Sequence, residues 1–217
     1  MTAEFILYSY YRSSASYRVR IAMNLKNIKF EYRPVHLLKN GGEQNQPEYR
    51  RLNPIGQVPC LIHNDKPVAQ SMAIFEYLDL VVPEPNLFPH DPYERAVVVQ
   101  ICEIVNSGIQ PLQNTAVMAD LEKNYGLSSE QRTAWIHNWN HRGLKALEDI
   151  LKKTAGDHAF GDTITAADCF IIPQIFSAKR FHVPLDAYPT IQRVYHGAEE
   201  LEPFVLAHPS RQPDAEK

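Results

Sequence analysis

Three serines sit where the chain changes from a strand pattern to a helical one. Phe5-Ile6-Leu7-Tyr8 has the character of a short buried strand, and from Tyr17 apolar residues recur at Ile21, Ala22 and Leu25 with helical spacing. Ser13, Ser14 and Ser16 therefore fall at the start of a helix, where the leading N–H groups have no partners of their own. Two uses of serine fit that place. The oxygen can cap the helix. The hydroxyl can also join the free amides and the positive end of the helix dipole in holding an anion or a thiolate. Gln70-Ser71 stands at a second helix start and suits either a carboxylate or, with Ser71 as the cap, nothing more than helix initiation. Val58-Pro59 opens a strand. A cis bond there would aim the Val58 N–H and C=O outward, toward an extended peptide, and an ordinary trans edge proline fits the same residues. The three places suit a thiol, a peptide backbone and a carboxylate, which are pieces of one ligand.

Other chemistry is absent from the pattern. His137 and His141 are spaced i, i+4, but Asn138, Trp139 and Asn140 between them supply no general base and no third ligand is evident, so no metal site is expected. No Ser/His/Asp or Cys/His set, P-loop or Gly-rich dinucleotide motif is present.

The elements that must position these residues follow from periodicity. After the first helix, Ile28, Phe30 and Tyr32 alternate with Lys29, Glu31 and Arg33, giving a half-buried strand. Residues 36–47 are polar, contain Gly41-Gly42 and read as a surface loop; a short helical turn over Glu48–Leu52 follows. Cys60-Leu61-Ile62 and Val68 form a hairpin around Asn64-Asp65. A helix through Ile74, Phe75, Tyr77 and Leu78 completes a βαβ–ββα order, an α/β sandwich. Pro83, Pro85, Pro89 and Pro92 exclude a helix and mark a linker.

Beyond the linker all signals are helical. Asp91-Pro92-Tyr93-Glu94, Ser128 with Gln131, and Thr165 with Asp168 are helix starts of the capping-box form. Gly108 and Pro111 break the first of these helices. Trp135, Trp139, Leu147 and Ile150 are expected as a buried stripe, Phe170 to Ile175 as a central buried helix, and the polar tail after Pro209 as disordered. The expected domains are residues 1–82, a linker at 83–91 and a helical domain at 92–217.

The 217 residues, 44% of them apolar, suffice for one large domain or two small ones. A net charge of −3 argues against a nucleic-acid surface, so any anionic ligand must be held by local positive groups. No apolar run approaches the roughly 20 residues that cross a bilayer, and the N-terminus lacks a signal-peptide core. Cys60, Cys102 and Cys169 form no C-x-x-C pair, which suits buried thiols in a reducing compartment, the cytoplasm.

The stretch Arg12-Ser13-Ser14-Ala15-Ser16-Tyr17-Arg18-Val19-Arg20-Ile21-Ala22 resembles the signature of zeta-class glutathione transferases. Asn53-Pro54 through Pro59, Gln70 to Ile74, Ile109 to Asn114, Gly161 to Asp168 and His208 to Pro213 are similar to that family as well, so the resemblance spans essentially the whole chain. It implies an α/β thioredoxin-like N-terminal domain followed by an all-α C-terminal domain, the glutathione transferase fold, in a homodimer that uses glutathione. The implied reaction is the cis-trans isomerisation of maleylacetoacetate to fumarylacetoacetate, in tyrosine and phenylalanine breakdown. Maleylpyruvate isomerisation, transfer to small α-haloacids and a non-catalytic glutathione-fold binding module are the alternatives.

The resemblance also assigns residues. Ser13 donates to the glutathione sulfur, with Ser14 beside it, and Ala15, Ser16, Tyr17 and Arg18 line the site. Gln44 reaches the glycine end of glutathione, Val58 pairs with its cysteinyl backbone, and Gln70 and Ser71 hold its γ-glutamyl group. Gln110, Asn114, Thr115 and Ala116 contribute from the helical domain. Arg180 approaches the carboxylate of a small dicarboxylic acid, assisted by Arg12. One position departs from the family pattern: the cysteine that usually follows the two serines is Ala15 here.

Overall fold

A computed structural model describes residues 5–216. Its contacts divide the chain into two units: Met1–Leu87 together with Leu201–Lys217, and Phe88–Glu200. Residues 201–217, which the sequence places with the helical domain, thus group with the first unit.

The first unit is built on a four-stranded sheet. In chain order its elements are β1 (Phe5–Ser9), α1 (Ser14–Leu25), β2 (Phe30–Pro34), α2 (Pro47–Leu52), β3 (Cys60–His63), β4 (Lys66–Ala69) and α3 (Ser71–Val81). The strand order is β2-β1-β3-β4, with β1 parallel to β2 and antiparallel to β3. Leu7 and Leu61, both fully buried, face each other across the sheet centre. Asn64 and Asp65 both take positive φ (51° and 61°), the conformation a two-residue hairpin turn requires, and Asn and Asp tolerate it better than most residues. The expected βαβ–ββα order is present.

The second unit comprises α4 (Pro92–Gly108), α5 (Thr115–Tyr125), α6 (Ser129–Thr154), α7 (Ala166–Arg180) and α8 (Pro189–Glu199); α9 (Glu202–Ala207) follows and packs on α1 within the first unit. Asp91, Ser128 and Thr165 cap α4, α6 and α7, the last two through complete capping boxes. Burial pushes the carboxyl of Asp168 up, yet it accepts from the N–H of Ala159 and of Thr165, each at 2.8 Å, and so closes the loop onto the start of α7. As expected, α7 is buried nearly all round.

The buried stripe of α6 differs from the expected one. It runs through Ile136, Asn140, Gly143, Leu144, Leu147, Glu148 and Leu151, while Trp135, Trp139 and Ile150 are only half-buried. Periodicity misplaces it because two polar residues lie on the inner face, where hydrogen bonds offset their burial. Glu148 accepts from the N–H of Thr190 (3.1 Å) and Ile191 (3.0 Å) at the start of α8, and Asn140 joins a network of amides described below.

Residues 210–216 are ordered, contrary to the expectation from their polar composition. A 3₁₀ turn over Pro209–Arg211 leads to Asp214, whose carboxylate accepts from the Tyr32 hydroxyl at 2.6 Å. A hydrogen bond of this kind orders a polar segment that has little apolar area to bury.

Arg20, 1% exposed, secures the same region. Its Nε donates to Ala207 O at the end of α9 (2.9 Å), Nη1 to Ser9 Oγ (3.1 Å) and Tyr10 O (3.4 Å), and Nη2 to Tyr11 O (3.0 Å). Desolvation lowers its pKa to about 10, so the guanidinium remains charged at neutral pH. Arg20→Met removes the arginine donors from Ala207 O, Tyr11 O and Ser9 Oγ and leaves Tyr10 O with only the Ser13 N–H, and we expect a loss of about 3 kcal/mol, read as a fall in Tm of about 6–12 °C. An unchanged Tm refutes that role. Cys60, Cys102 and Cys169 are all buried and outside any disulfide, and burial raises the Cys60 thiol to about 11. A thiol-reactive dye is expected to titrate none of the three in the native protein and all three in guanidinium.

Candidate active site

Ser13 lies at the junction of β1 and α1. Its backbone is extended (φ −70°, ψ 119°), its N–H donates to Tyr10 O at 3.0 Å, and its Oγ accepts from the N–H of Ser16 at 3.2 Å. It is therefore the helix cap. Capping uses the oxygen as acceptor and leaves the hydroxyl hydrogen to be donated elsewhere. No acidic residue occupies the first turn of α1, so the positive end of its dipole is not neutralised there. Ser14 is buried, Ala15 half-buried, and the Oγ of fully buried Ser16 has no hydrogen-bond partner among the described residues. Arg12 holds its guanidinium 5.9 Å from the ring centres of Tyr10 and of Tyr11. Burial raises the Tyr10 phenol to about 12, so it stays protonated near neutral pH.

Tyr17 and Arg18 are interior residues. The Tyr17 hydroxyl donates to Phe204 O at 3.3 Å, and Arg18 Nη1 donates to Ser71 Oγ at 3.1 Å. Arg18 thus ties α1 to the start of α3 and links two of the three places singled out in the sequence.

At that second helix start, the N-cap position belongs to Gln70 and not to Ser71, which is the first helical residue. Gln70 is exposed and adopts φ 73°, ψ 119°, a region disfavoured for any residue with a Cβ and costing of order 1–3 kcal/mol. Its side chain makes no cap bond, and α3 carries no acidic residue in its first turn. No acidic residue in the first turn neutralises this helix start, and a strained exposed residue stands beside it.

Val58-Pro59 is cis. Val58 precedes the ladder of β3, whose register begins at Cys60. Two donors fix the chain just before it: the Tyr49 hydroxyl and Asn53 Nδ2 reach Gln57 O at 2.6 and 2.7 Å. The loop before α2 is folded about His36, whose Nδ1 accepts from the N–H of Leu38 and Lys39 while its backbone N–H donates to Glu43 Oε2 at 2.6 Å. Gln44 lies over Gly42 (φ 90°), where a Cβ would come within 2.5 Å of its amide nitrogen. Gln44 Oε1 is buried with no hydrogen-bond partner among the described residues. Orphaned acceptors at Ser16 and Gln44 suit a ligand that is polar along its length.

In the second unit, Gln110 opens a 3₁₀ turn over Gln110–Gln113. Asn114 caps α5 by accepting from the N–H of Ala116 at 3.0 Å, with Thr115 and Ala116 exposed in the first turn. Arg180, also exposed, ends α7. A buried network that the sequence did not signal connects these segments. Asn140 Nδ2 donates to Gln113 Oε1 (2.8 Å), Gln174 Nε2 to Asn140 Oδ1 (2.8 Å), and Gln113 Nε2 to Gln174 Oε1 (3.3 Å) and Ser177 Oγ (3.2 Å). His137 and His141 are each engaged elsewhere, with Phe181 O and the Tyr188 hydroxyl, both at 2.8 Å. Among the described residues no cluster suited to a metal is found.

Comparison with known proteins accords with this geometry. Residues 3–80 match the glutathione S-transferase N-terminal domain and residues 141–197 a glutathione S-transferase C-terminal domain. The chain is 46% identical over 209 residues to a probable maleylacetoacetate isomerase 2 of Drosophila melanogaster, covering 96% of this chain and 89% of that protein. A bacterial maleyl pyruvate isomerase, a zeta-class glutathione S-transferase solved in holo form, superposes with a TM-score of 0.94 at 38% identity, covering 97% of this chain and 100% of that one. The maleylacetoacetate isomerase of Anaeromyxobacter dehalogenans 2CP-1, solved with GSH bound in its active site, gives a TM-score of 0.88 at 42% identity over 99% of both chains. A match at this identity over nearly the full length places the chain among the zeta-class glutathione transferases, the family of the maleylacetoacetate isomerases.

Proposed function

We propose that this protein is a glutathione-dependent cis-trans isomerase that converts maleylacetoacetate to fumarylacetoacetate in the breakdown of tyrosine and phenylalanine, working as a homodimer in the cytoplasm. The observation that carries the reading is the Ser13 cap: a hydroxyl whose oxygen is already an acceptor, set at an un-neutralised helix N-terminus. No membrane-spanning helix is found among the described residues.

The chemistry supplied by bound glutathione is reversible addition of a thiolate to a carbon–carbon double bond, which frees that bond to rotate. The chain's own residues provide the conditions. Ser13 donates its hydroxyl hydrogen to the sulfur, and the α1 N-terminus favours the anionic form, so the thiol ionises nearer neutral pH. Ser14, Ala15 and Ser16 shape the same turn. Val58 offers its N–H and C=O to the cysteinyl main chain as an added strand would. Gln70 and Ser71 hold the γ-glutamyl carboxylate at the α3 N-terminus, and Gln44 takes the glycine end. In the second unit Arg180 is the cationic partner for a substrate carboxylate, with Gln110, Asn114, Thr115 and Ala116 as further polar contacts. Arg12, held over two tyrosine rings, is placed to stabilise negative charge developing on a substrate oxygen.

A second reading, isomerisation of maleylpyruvate, is favoured by the 0.94 TM-score with a maleyl pyruvate isomerase. Both substrates are diacids and use the same thiol site. Measuring kcat/KM for each, with and without glutathione, separates the two, and a chain that turns over neither diacid refutes both.

Ser13→Ala is expected to lower kcat/KM by roughly a hundredfold or more, chiefly through the thiol, and to cost only about 1 kcal/mol of stability as a lost cap. Full activity in that variant rules out the role given to Ser13. Arg180→Gln is expected to raise KM for the diacid by about tenfold and to leave glutathione affinity unchanged. Equal losses in both affinities contradict its assignment to the substrate.

A further inference from the structure

The terminal stretch His208 to Pro213 shares the family's pattern, yet nothing in the proposed reaction uses it or the aspartate that follows. Asp214 is presented by a turn in which Ala215 N–H donates to Gln212 O at 3.1 Å, while Gln212 Nε2 donates to Leu206 O and His208 O, both at 2.9 Å. Ala215 packs on the cluster containing Tyr10, Tyr11 and Val35. Asp214 thereby reaches the segment just before Ser13. One carboxylate oxygen accepts from the Tyr11 N–H at 3.0 Å, and the other accepts from the Tyr32 hydroxyl at 2.6 Å.

Tyr10, Tyr11 and Arg12 belong to no strand or helix, so no ladder of hydrogen bonds sets their geometry. Arg20 holds the carbonyls of Tyr10 and Tyr11 from one side, and Tyr10 O also accepts from Ser13 N–H. The N–H of Tyr11 is a further handle on this turn, and it is held by a residue 203 positions away in the chain. Rotation of the Tyr11 peptide carries Arg12 and Ser13 with it, because the backbone has only two soft torsions per residue. The Tyr32 phenol, pushed up by burial and by its bond to Asp214, stays protonated and orients the carboxylate.

We propose that Asp214 is a positioning residue for the thiol-facing turn: by holding the Tyr11 N–H it sets the direction in which the Ser13 hydroxyl is donated. The inference rests on the reading of Ser13 as the thiol's partner, and it extends the active machinery to the last residues of the first unit.

The test compares the full-length chain with Asp214→Ala and Asp214→Asn. Three quantities are measured: amide exchange at Tyr11 in the ligand-free protein, the pKa of glutathione bound to it, from thiolate ultraviolet absorbance, and KM against kcat. Asp214→Ala is expected to speed Tyr11 exchange by about tenfold, to raise the bound thiol pKa by roughly half a unit, and to raise KM for glutathione by about tenfold. Asp214→Asn keeps an acceptor for the Tyr11 N–H and is expected to stay within about threefold of the parent in exchange and KM. If Asp214→Ala lowers Tm alone and leaves exchange and thiol pKa at parental values, the aspartate merely fastens the tail and the proposal is overturned. Should Asp214→Ala not fold, an Asp214→Asn protein as impaired as a Ser13→Ala protein overturns it too, and one near parental values with normal Tyr11 exchange supports it. A parent chain that binds no glutathione overturns the functional reading and this proposal with it, a result distinct from a parental thiolate band that Asp214→Ala fails to move.

Discussion

A buried positive charge organises the first unit. Arg20 lies on α1, fully removed from water, and a guanidinium in that position must meet acceptors or be strongly destabilising. The acceptors it meets are backbone carbonyls at the end of β1 and in the turn that follows, together with the last carbonyl of α9. These groups have no partner in a regular element, so the arginine does for an irregular segment what a ladder does for a strand. The consequence reaches the chemistry, since the turn so held is the one that ends in Ser13. Arg18, on the opposite side of the same helix start, makes the equivalent tie to Ser71.

The reaction proposed for the site asks the protein for no general acid or base. What the site offers is directed partial charge: two helix N-termini with no acidic residue in the first turn, a serine hydroxyl with a donatable hydrogen at Ser13, and the main chain of Val58 just ahead of β3. Such groups are fixed before a ligand arrives and pay no reorganisation cost when charge appears. Gln70 illustrates the associated cost. Its backbone is held where glycine would be more comfortable, and the surrounding α3 start and β4 end impose it.

Much of this was legible in the residues. The βαβ–ββα order, the Asn64-Asp65 hairpin and the capping boxes at Ser128 and Thr165 all follow from local rules, and the structure bears them out. The motif at Ser13 was visible for the same reason, because capping chemistry is local. What was hidden depends on partners distant in the chain. Periodicity treats Arg18, Arg20, Asn140 and Glu148 as surface residues, and only tertiary acceptors allow them inside. Polar composition signals disorder for the tail, and only the specific donors that await Asp214, on Tyr32 and Tyr11, order it. The conformation of Gln70 carries no sequence signal, since glutamine is not a residue that announces positive φ.

The grouping of Leu201–Lys217 with the N-terminal unit has a consequence for how the protein is made. Domains usually fold in the order in which they leave the ribosome. Here the strand and turn that carry Ser13 emerge early, but Ala207 and Asp214, which hold that turn, emerge only after the whole of Phe88–Glu200 has been synthesised. The nascent first unit therefore carries the Arg20 charge without one of its acceptors until Phe88–Glu200 has been made, and its closure waits on a segment that follows the whole second unit.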